Sequence, residues 1–161
     1  MAGGAMVQYM TQTVGLILLL LIGSQGDRTL HVTFMKSRCD YCKMLFQFER
    51  FGGELETTAD SSVYFDATEC MVAYRLSHMI AENKVRRLWS VDYNAPGKLI
   101  DARAAVYVNS PNLASPMEVN IAAFRSVAAA DSAIARYGGK KLDWQAVVAL
   151  VGRKWFGGRT K

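Results

Sequence analysis

Apolar and polar positions along this chain alternate with two different periods, which divides it into short strands and helices. Residues 1–26 carry no charged side chain, and within them Val14 to Ile22 form an unbroken apolar run. Crossing a bilayer takes roughly 20 apolar residues, so this run is too short to span one. It fits the centre of a secretory signal peptide, with Ser24 and Gly26 as small residues before a cleavage point. The run lacks a preceding Lys or Arg and no Cys follows it to accept a lipid, so an uncleaved anchor is the alternative.

After a lead-in with a short strand at Leu30–Phe34 comes a cysteine segment, Ser37 to Met44. Gly52-Gly53 then precedes a hairpin with arms Glu54–Thr58 and Ser61–Phe65 and its turn at Ala59-Asp60. Asp66-Ala67-Thr68-Glu69 reads as a capping box. The helix behind it carries Cys70, Tyr74 and Ala81 on one side and Val72, Leu76, Met79 and Ile80 on others, with Asn83 as its end. Val85–Tyr93 reads as a strand and Asn94–Gly97 as a turn.

The second half repeats this order. Leu99–Val108 alternates as one strand, with Ile100, Ala102, Ala104, Val106 and Val108 on one face and Asp101, Arg103 and Tyr107 on the other. A loop with Pro111 and Pro116 leads to Met117 and a strand at Val119–Phe124. Ser126 is placed to cap a helix that stops at Gly138-Gly139. Lys140–Leu142 is a further strand, and Asp143 opens a last helix bearing Trp144, Val147, Val148 and Val151. The fold class is therefore α+β, with two related strand-strand-helix-strand units, residues 27–97 and 98–151, and a tail at 152–161. Phe65 and the helix after it correspond to Phe124 and its own helix. Each unit alone is too small to bury much core, so the two are expected to pack together.

Composition narrows the function. The chain has 161 residues, of which 51% are hydrophobic and 20% charged, enough to fold as one compact body. Its net charge of +5 is scattered, with no basic stripe interleaved with aromatics, so nucleic acid is not an expected partner. The densest basic stretch is the tail: Arg153, Lys154, Arg159 and Lys161 surround Trp155 and Phe156. It reads as a solvated terminus, with contact to an anionic membrane as the alternative. No nucleophile–base arrangement, phosphate-binding glycine loop or paired carboxylates is visible, so no catalysis is expected.

Chemistry concentrates at Cys39-x-x-Cys42-x-Met44. Thiolate and thioether sulfur are soft donors that favour Cu(I) over hard ions. Thioether sulfur also binds without losing a proton. Two other readings share this spacing. Cys39 and Cys42 could serve an envelope thiol–disulfide oxidoreductase, although such a pair usually sits where a strand enters a helix. Zinc would want a second pair of ligands, and the remaining Cys70, His31 and His78 have no paired spacing. Cys70 itself reads as a buried small hydrophobe on an apolar helix. Met35, Met71 and Met79 read as core filler, and His31 and His78 as a solvated and a packed or surface histidine. A third reading is a membrane-tethered interaction module with no metal.

Several ordered segments resemble the NosL family of nitrous oxide reductase accessory proteins. Tyr41-Cys42-Lys43-Met44, Ser61–Tyr74 with Phe65-Asp66 opening a helix, and Ile100–Val108 carry the resemblance. Ser115-Pro116-Met117, Ala123-Phe124 and Gly138-Gly139-Lys140 continue it in order, so that it spans Cys39 to Val151. The resemblance implies an exported Cu(I) carrier, periplasmic or held at the membrane by its N-terminal segment. Its partner would be a copper-receiving apo-enzyme, nitrous oxide reductase in denitrifying organisms, or another copper carrier. Carried over onto this chain, the ligands are Cys42, Met44 and Met117, with Cys39 as an extra thiol. Two features depart from the family. The chain lacks a lipidation cysteine, and Glu118, Val119 and Asn120 stand where some members place a histidine.

Overall fold

The computed structural model describes residues 28–157; the apolar run read as a signal peptide or anchor lies outside them. Among the described residues no helix is long and apolar enough to cross a membrane. Strands β1 (Gly53–Thr57) and β2 (Ser62–Phe65) form a hairpin that pairs Gly53 with Phe65 and Glu56 with Ser62. Helix α1 (Thr68–Leu76) follows, and β3 (Val85–Val91) returns antiparallel along the other edge of β1. The second half repeats the path: β5 (Val106–Asn109) pairs with β6 (Ile121–Phe124), α2 (Val127–Tyr137) follows, and β7 (Lys140–Leu142) returns along β5. Strand orders are β2-β1-β3-β4 and β6-β5-β7, so the α+β fold of two related units is present, with the additional strand β4 (Leu99–Asp101) on the first sheet. A last helix, α3 (Trp144–Val151), ends in a π-helical turn at Gly152–Phe156.

The second-half helices start and stop for the expected reasons. Ser126 and Asp143 accept the amides of Ala129 and Ala146 through their side chains. Those amides have no partner within their own helices. Gly138 ends α2 with φ of +68°, a conformation that costs glycine little.

Four local expectations are corrected. Leu30–Phe34 is not a strand: Leu30 N–H reaches Gly97 O, and the chain then turns, with the Ser37 N–H on Thr33 O and Met35 at φ +61°. The single strand expected over Leu99–Val108 is cut in two. Asp101 Oδ1 accepts the amides of Arg103 at 2.8 Å and Ala104 at 3.3 Å, closing an Asx turn. That turn moves the chain from the first sheet to the second. Helix α1 stops at Leu76, well before Asn83, which lies in a short 3-10 turn at Glu82–Lys84. The capping box is absent as well. Ala67 occupies the N-cap with no side-chain bond to the helix, so Asp66 and Glu69 are left for other partners.

The two-faced burial of the second sheet explains another difference. Tyr107, placed by alternation on the face of Asp101 and Arg103, is as fully buried as Val108. Val108 and Phe124 face α2 together with Ala130 and Ala133, while Tyr107, Ile121 and Ala123 join Leu55, Phe65, Met71 and Trp144 in a core shared by both units. Backbone also joins the sheets, through a parallel bridge of Asp92 to Ala123 and the Tyr93 N–H on Ala123 O at 2.8 Å.

Within the shared core, the Tyr107 hydroxyl donates to Ala102 O at 2.7 Å and lies 3.0 Å from the Ser90 hydroxyl. Burial pushes this phenol well above its usual range. Tyr107→Phe strips a partner from two buried groups, which costs roughly 1–3 kcal/mol. The expected result is a lower urea midpoint at unchanged m-value; an unchanged midpoint would show that the hydroxyl carries no stability.

Candidate metal centre

The cysteine segment forms a tight loop closed by an Arg38–Leu45 bridge, with the Cys39 N–H on Met44 O at 2.8 Å and the Lys43 N–H on Cys39 O at 3.0 Å. Closing it places Lys43 at φ +66°, a left-handed conformation uncommon for non-glycine residues. The Arg38 guanidinium supports it by donating to Lys43 O at 2.9 Å. Asp40 fastens the loop to the end of β2: its N–H donates to Tyr64 O at 2.9 Å, and its carboxylate accepts the Tyr64 N–H at 2.7 Å.

This anchoring decides what the cysteines meet. Where β2 ends, Asp66 follows, and one turn later α1 presents Cys70. Ligand atoms of Cys39, Cys42, Asp66 and Cys70 all lie within 4.8 Å of one another. Cys39 and Cys70 are completely buried and Asp66 is 2% exposed, while half-buried Cys42 forms the edge toward solvent.

The thiols of Cys70 and Cys42 find acceptors inside the group. Cys70 keeps its proton and donates it to Cys39, whose thiol is drawn down to about 7 mainly by that bond, helped by the amides of Asp66 and Cys42 and opposed by burial. Cys42 Sγ lies 3.6 Å from both Asp66 oxygens. Burial pushes its thiol up to about 12, and the nearby Cys39 and Asp66 add to the rise despite a bond from the Met44 amide. Cys39, whose thiol is drawn down, is completely buried, while half-buried Cys42 is pushed up. A metal ion would displace these protons and neutralise several donors at once.

Of the residues expected as ligands, the structure brings Cys39 and Cys42 together. Met44 is 43% exposed beside the loop, and its backbone carbonyl is what the loop uses. Met117 is half-buried against the shared core. Its loop is tied to α1, because the Ser115 hydroxyl donates to the buried carboxylate of Glu69, next to Cys70. Glu118 and Asn120, at φ +60° and +63°, are left-handed beside Met117 as Lys43 is beside Cys42. Backbone held in such conformations recurs at functional sites.

Cys70 and Asp66 are the two members of the group that the sequence reading missed. Cys70 is buried as expected, but among sulfurs. The available signal was the four-residue spacing of Asp66 and Cys70 across a helix start, which puts both at one end of α1. His31 and His78 are exposed and outside the group. Met35 at 63% and Met79 at 51% exposure are surface residues, whereas Met71 does fill core. In the basic tail, Trp155 is docked: its ring stacks on Tyr41 at 6.3 Å and 6°. Lys154 Nζ lies 3.3 Å from Glu118 O. The C-terminal turn therefore spans the cysteine loop and the Met117 loop.

Residues 32–150 match the family described as NosL. No curated protein sequence matches the chain. The fold is similar to the crystal structure of the copper chaperone NosL from Shewanella denitrificans, at 22% identity and a TM-score of 0.61, covering 72% of this chain and 92% of that one.

Proposed function

The chain belongs to the NosL family, and on that premise we propose that it is a Cu(I) carrier. The observation that supports this most is the convergence of three thiols within 4.8 Å at the junction of the cysteine loop and α1. Soft sulfur in that number suits Cu(I). The solved relative in fold is itself titled a copper chaperone. In this reading Cys39, Cys42 and Cys70 hold the ion. Met44 and Met117, expected as ligands from the family pattern, supply thioether sulfur from the two adjoining loops. Carriage needs release as well as binding. Cys42 is the half-exposed sulfur and Met44 the exposed thioether beside it, so a partner's ligand has a side from which to displace them. Copper passes to an apo-enzyme outside the cytoplasm, nitrous oxide reductase, after export directed by the N-terminal segment.

X-ray absorption on the copper-loaded, reduced protein is the test. One Cu(I) per chain with scattering dominated by sulfur is expected; a shell of nitrogen and oxygen would overturn the reading. The thioether on the second loop is checked separately. Met117→Leu keeps side-chain volume and costs less than about 1.5 kcal/mol of stability, so the apo form should melt close to the parent. Competition against a Cu(I) chelator should nevertheless show affinity weakened several-fold. Unchanged affinity with a lowered melting temperature would make Met117 a packing residue.

A further inference from the structure

The metal centre makes no use of the segment Phe48-Glu49-Arg50-Phe51 or of α2, and the fold brings the two together around Tyr93. There a cavity of about 300 Å³ is lined by Arg50, Tyr93, Arg136 and Tyr137 together with small residues of α2. A second cavity of about 510 Å³ shares Arg50 and Tyr93 and adds the apolar side chains of Phe48, Phe51, Pro96 and Ala114. Both guanidiniums lie over tyrosine rings: Arg50 Cζ is 5.3 Å from the Tyr93 centroid, and Arg136 Cζ is 5.2 Å from that of Tyr137. Such stacking is attractive and uses the flat face of the cation, which leaves its N–H edge for a ligand. Arg50 is fixed further by donating from Nη1 to Tyr93 O at 2.7 Å. The two rings meet edge to face at 6.2 Å, so both cations rest on one aromatic support. Charge here is one-sided. Among the described residues no carboxylate lines the first cavity, and Glu49 is the acid at the second. The acids close to Tyr93 and Arg136 in sequence are taken, Asp92 by Arg125 and Asp131 by Lys141.

An arginine pair held on aromatic rings beside an apolar hollow is complementary to a ligand with one carboxylate and an adjoining apolar group. Residue types decide where such a ligand comes from. Arg, Tyr and Phe are enriched where proteins recognise proteins, and Lys is depleted there. Lipid headgroups draw clusters of about four to eight Lys and Arg, whereas this site has an arginine pair with Glu49 beside it. Phe48 is 47% exposed, an apolar side chain left for a partner to cover. We propose that the cavity at Arg50 and Arg136 is a docking site for a partner protein. The partner sets an acidic side chain on the two guanidiniums and lays the neighbouring apolar side chain against Phe48 and Phe51. Phe51, Tyr93 and Tyr137 pack with Val108 and Phe124 on the α2 face of the second sheet, while Cys39 and Cys70 belong to the shared core on its other face. Docking site and cysteines are thus on opposite sides of that sheet, and a partner is held without occupying the sulfurs. The inference goes beyond the copper reading and does not depend on it.

The probes are blocked dipeptides of aspartate and phenylalanine, in both orders, titrated into the full chain and followed by amide NMR. Expected is a saturable set of shifts at Arg50, Tyr93, Arg136 and Tyr137. Asparagine in place of the peptide's aspartate should weaken binding by at least about tenfold, the size of losing a hydrogen-bonded charge. Alanine in place of its phenylalanine should weaken it several-fold. These comparisons are made on the unaltered protein and stand whatever any variant does. Arg50→Gln combined with Arg136→Gln, both at exposed positions, should lose the same binding while Tm and Cu(I) affinity stay at the parent's values. No saturation with either dipeptide, or equal binding of the aspartate and asparagine forms, overturns the proposal. Binding to phosphatidylglycerol vesicles that depends on both arginines, with no binding of the dipeptides, assigns the site to a membrane and overturns it as well.

Discussion

Replacing Cys70 by serine is expected to weaken Cu(I) binding by at least about tenfold, as much as losing an outer-shell partner costs a metal site. Cys70 is completely buried on the first turn of α1, and it is the sulfur that α1 contributes to the group. Serine has nearly the same shape but is a hard donor, and its hydroxyl keeps its proton near neutral pH, where a metal-bound thiol gives its own up. The double variant Cys39→Ser with Cys70→Ser leaves only Cys42 among the three sulfurs and should lose far more than either change alone. A chelator competition gives the affinities, and thermal unfolding of the apo forms separates binding from packing. Cu(I) affinity that does not change in Cys70→Ser would return Cys70 to the role of a small core residue.

The second large effect is a stability that falls as pH rises. Glu69 is completely buried, and its Oε2 has no hydrogen-bond partner. Burial, partly offset by the bond from Ser115, raises its carboxyl from 4.5 to about 7. A group raised on folding is held more tightly as the protonated form in the native state. Its contribution is therefore complete below pH 4.5 and is lost as pH climbs through about 7. A shift of this size corresponds to about 3 kcal/mol. Urea unfolding of the apo protein at pH 5 and pH 8 should show that loss, and the difference between parent and Glu69→Gln isolates it from other titrating groups. The glutamine side chain of that variant cannot ionise, while its amide oxygen can still accept from Ser115. Parallel pH profiles for the two proteins would mean that the carboxylate is accommodated at no cost.

Much of the fold was legible because it follows from local chemistry. The hairpin at Gly53–Phe65, the capped starts of α2 and α3 and the stop at Gly138 need only alternation, a capping side chain and a positive φ. These signals lie within a few residues of the structure they specify. The misread segments are those where a local pattern met a distant partner. Asp66 and Glu69 have the spacing of a capping box, but Cys42 and Ser115 claim their carboxylates. Leu99–Val108 has the alternation of one strand, but the Asp101 turn divides it between two sheets. Alternation put Tyr107 on the face of Asp101 and Arg103, and alternation alone cannot report that both faces of the second sheet are covered.

The candidate site divides the same way. By itself the sequence determined the family, the two-unit α+β plan and the soft-donor character of the cysteine segment, since those depend on residue types and their order. Tertiary structure alone decided that Cys70 and Asp66 join Cys39 and Cys42, that Met44 lies exposed beside them, and that Met117 sits on a loop held through Ser115 to Glu69. The reason is geometric. A ligand set is defined by distances of a few ångströms between atoms, and Cys42 and Asp66 are 24 residues apart in the chain. Only the docking of Asp40 onto the end of β2, which fixes the loop over the start of α1, turns that separation into contact.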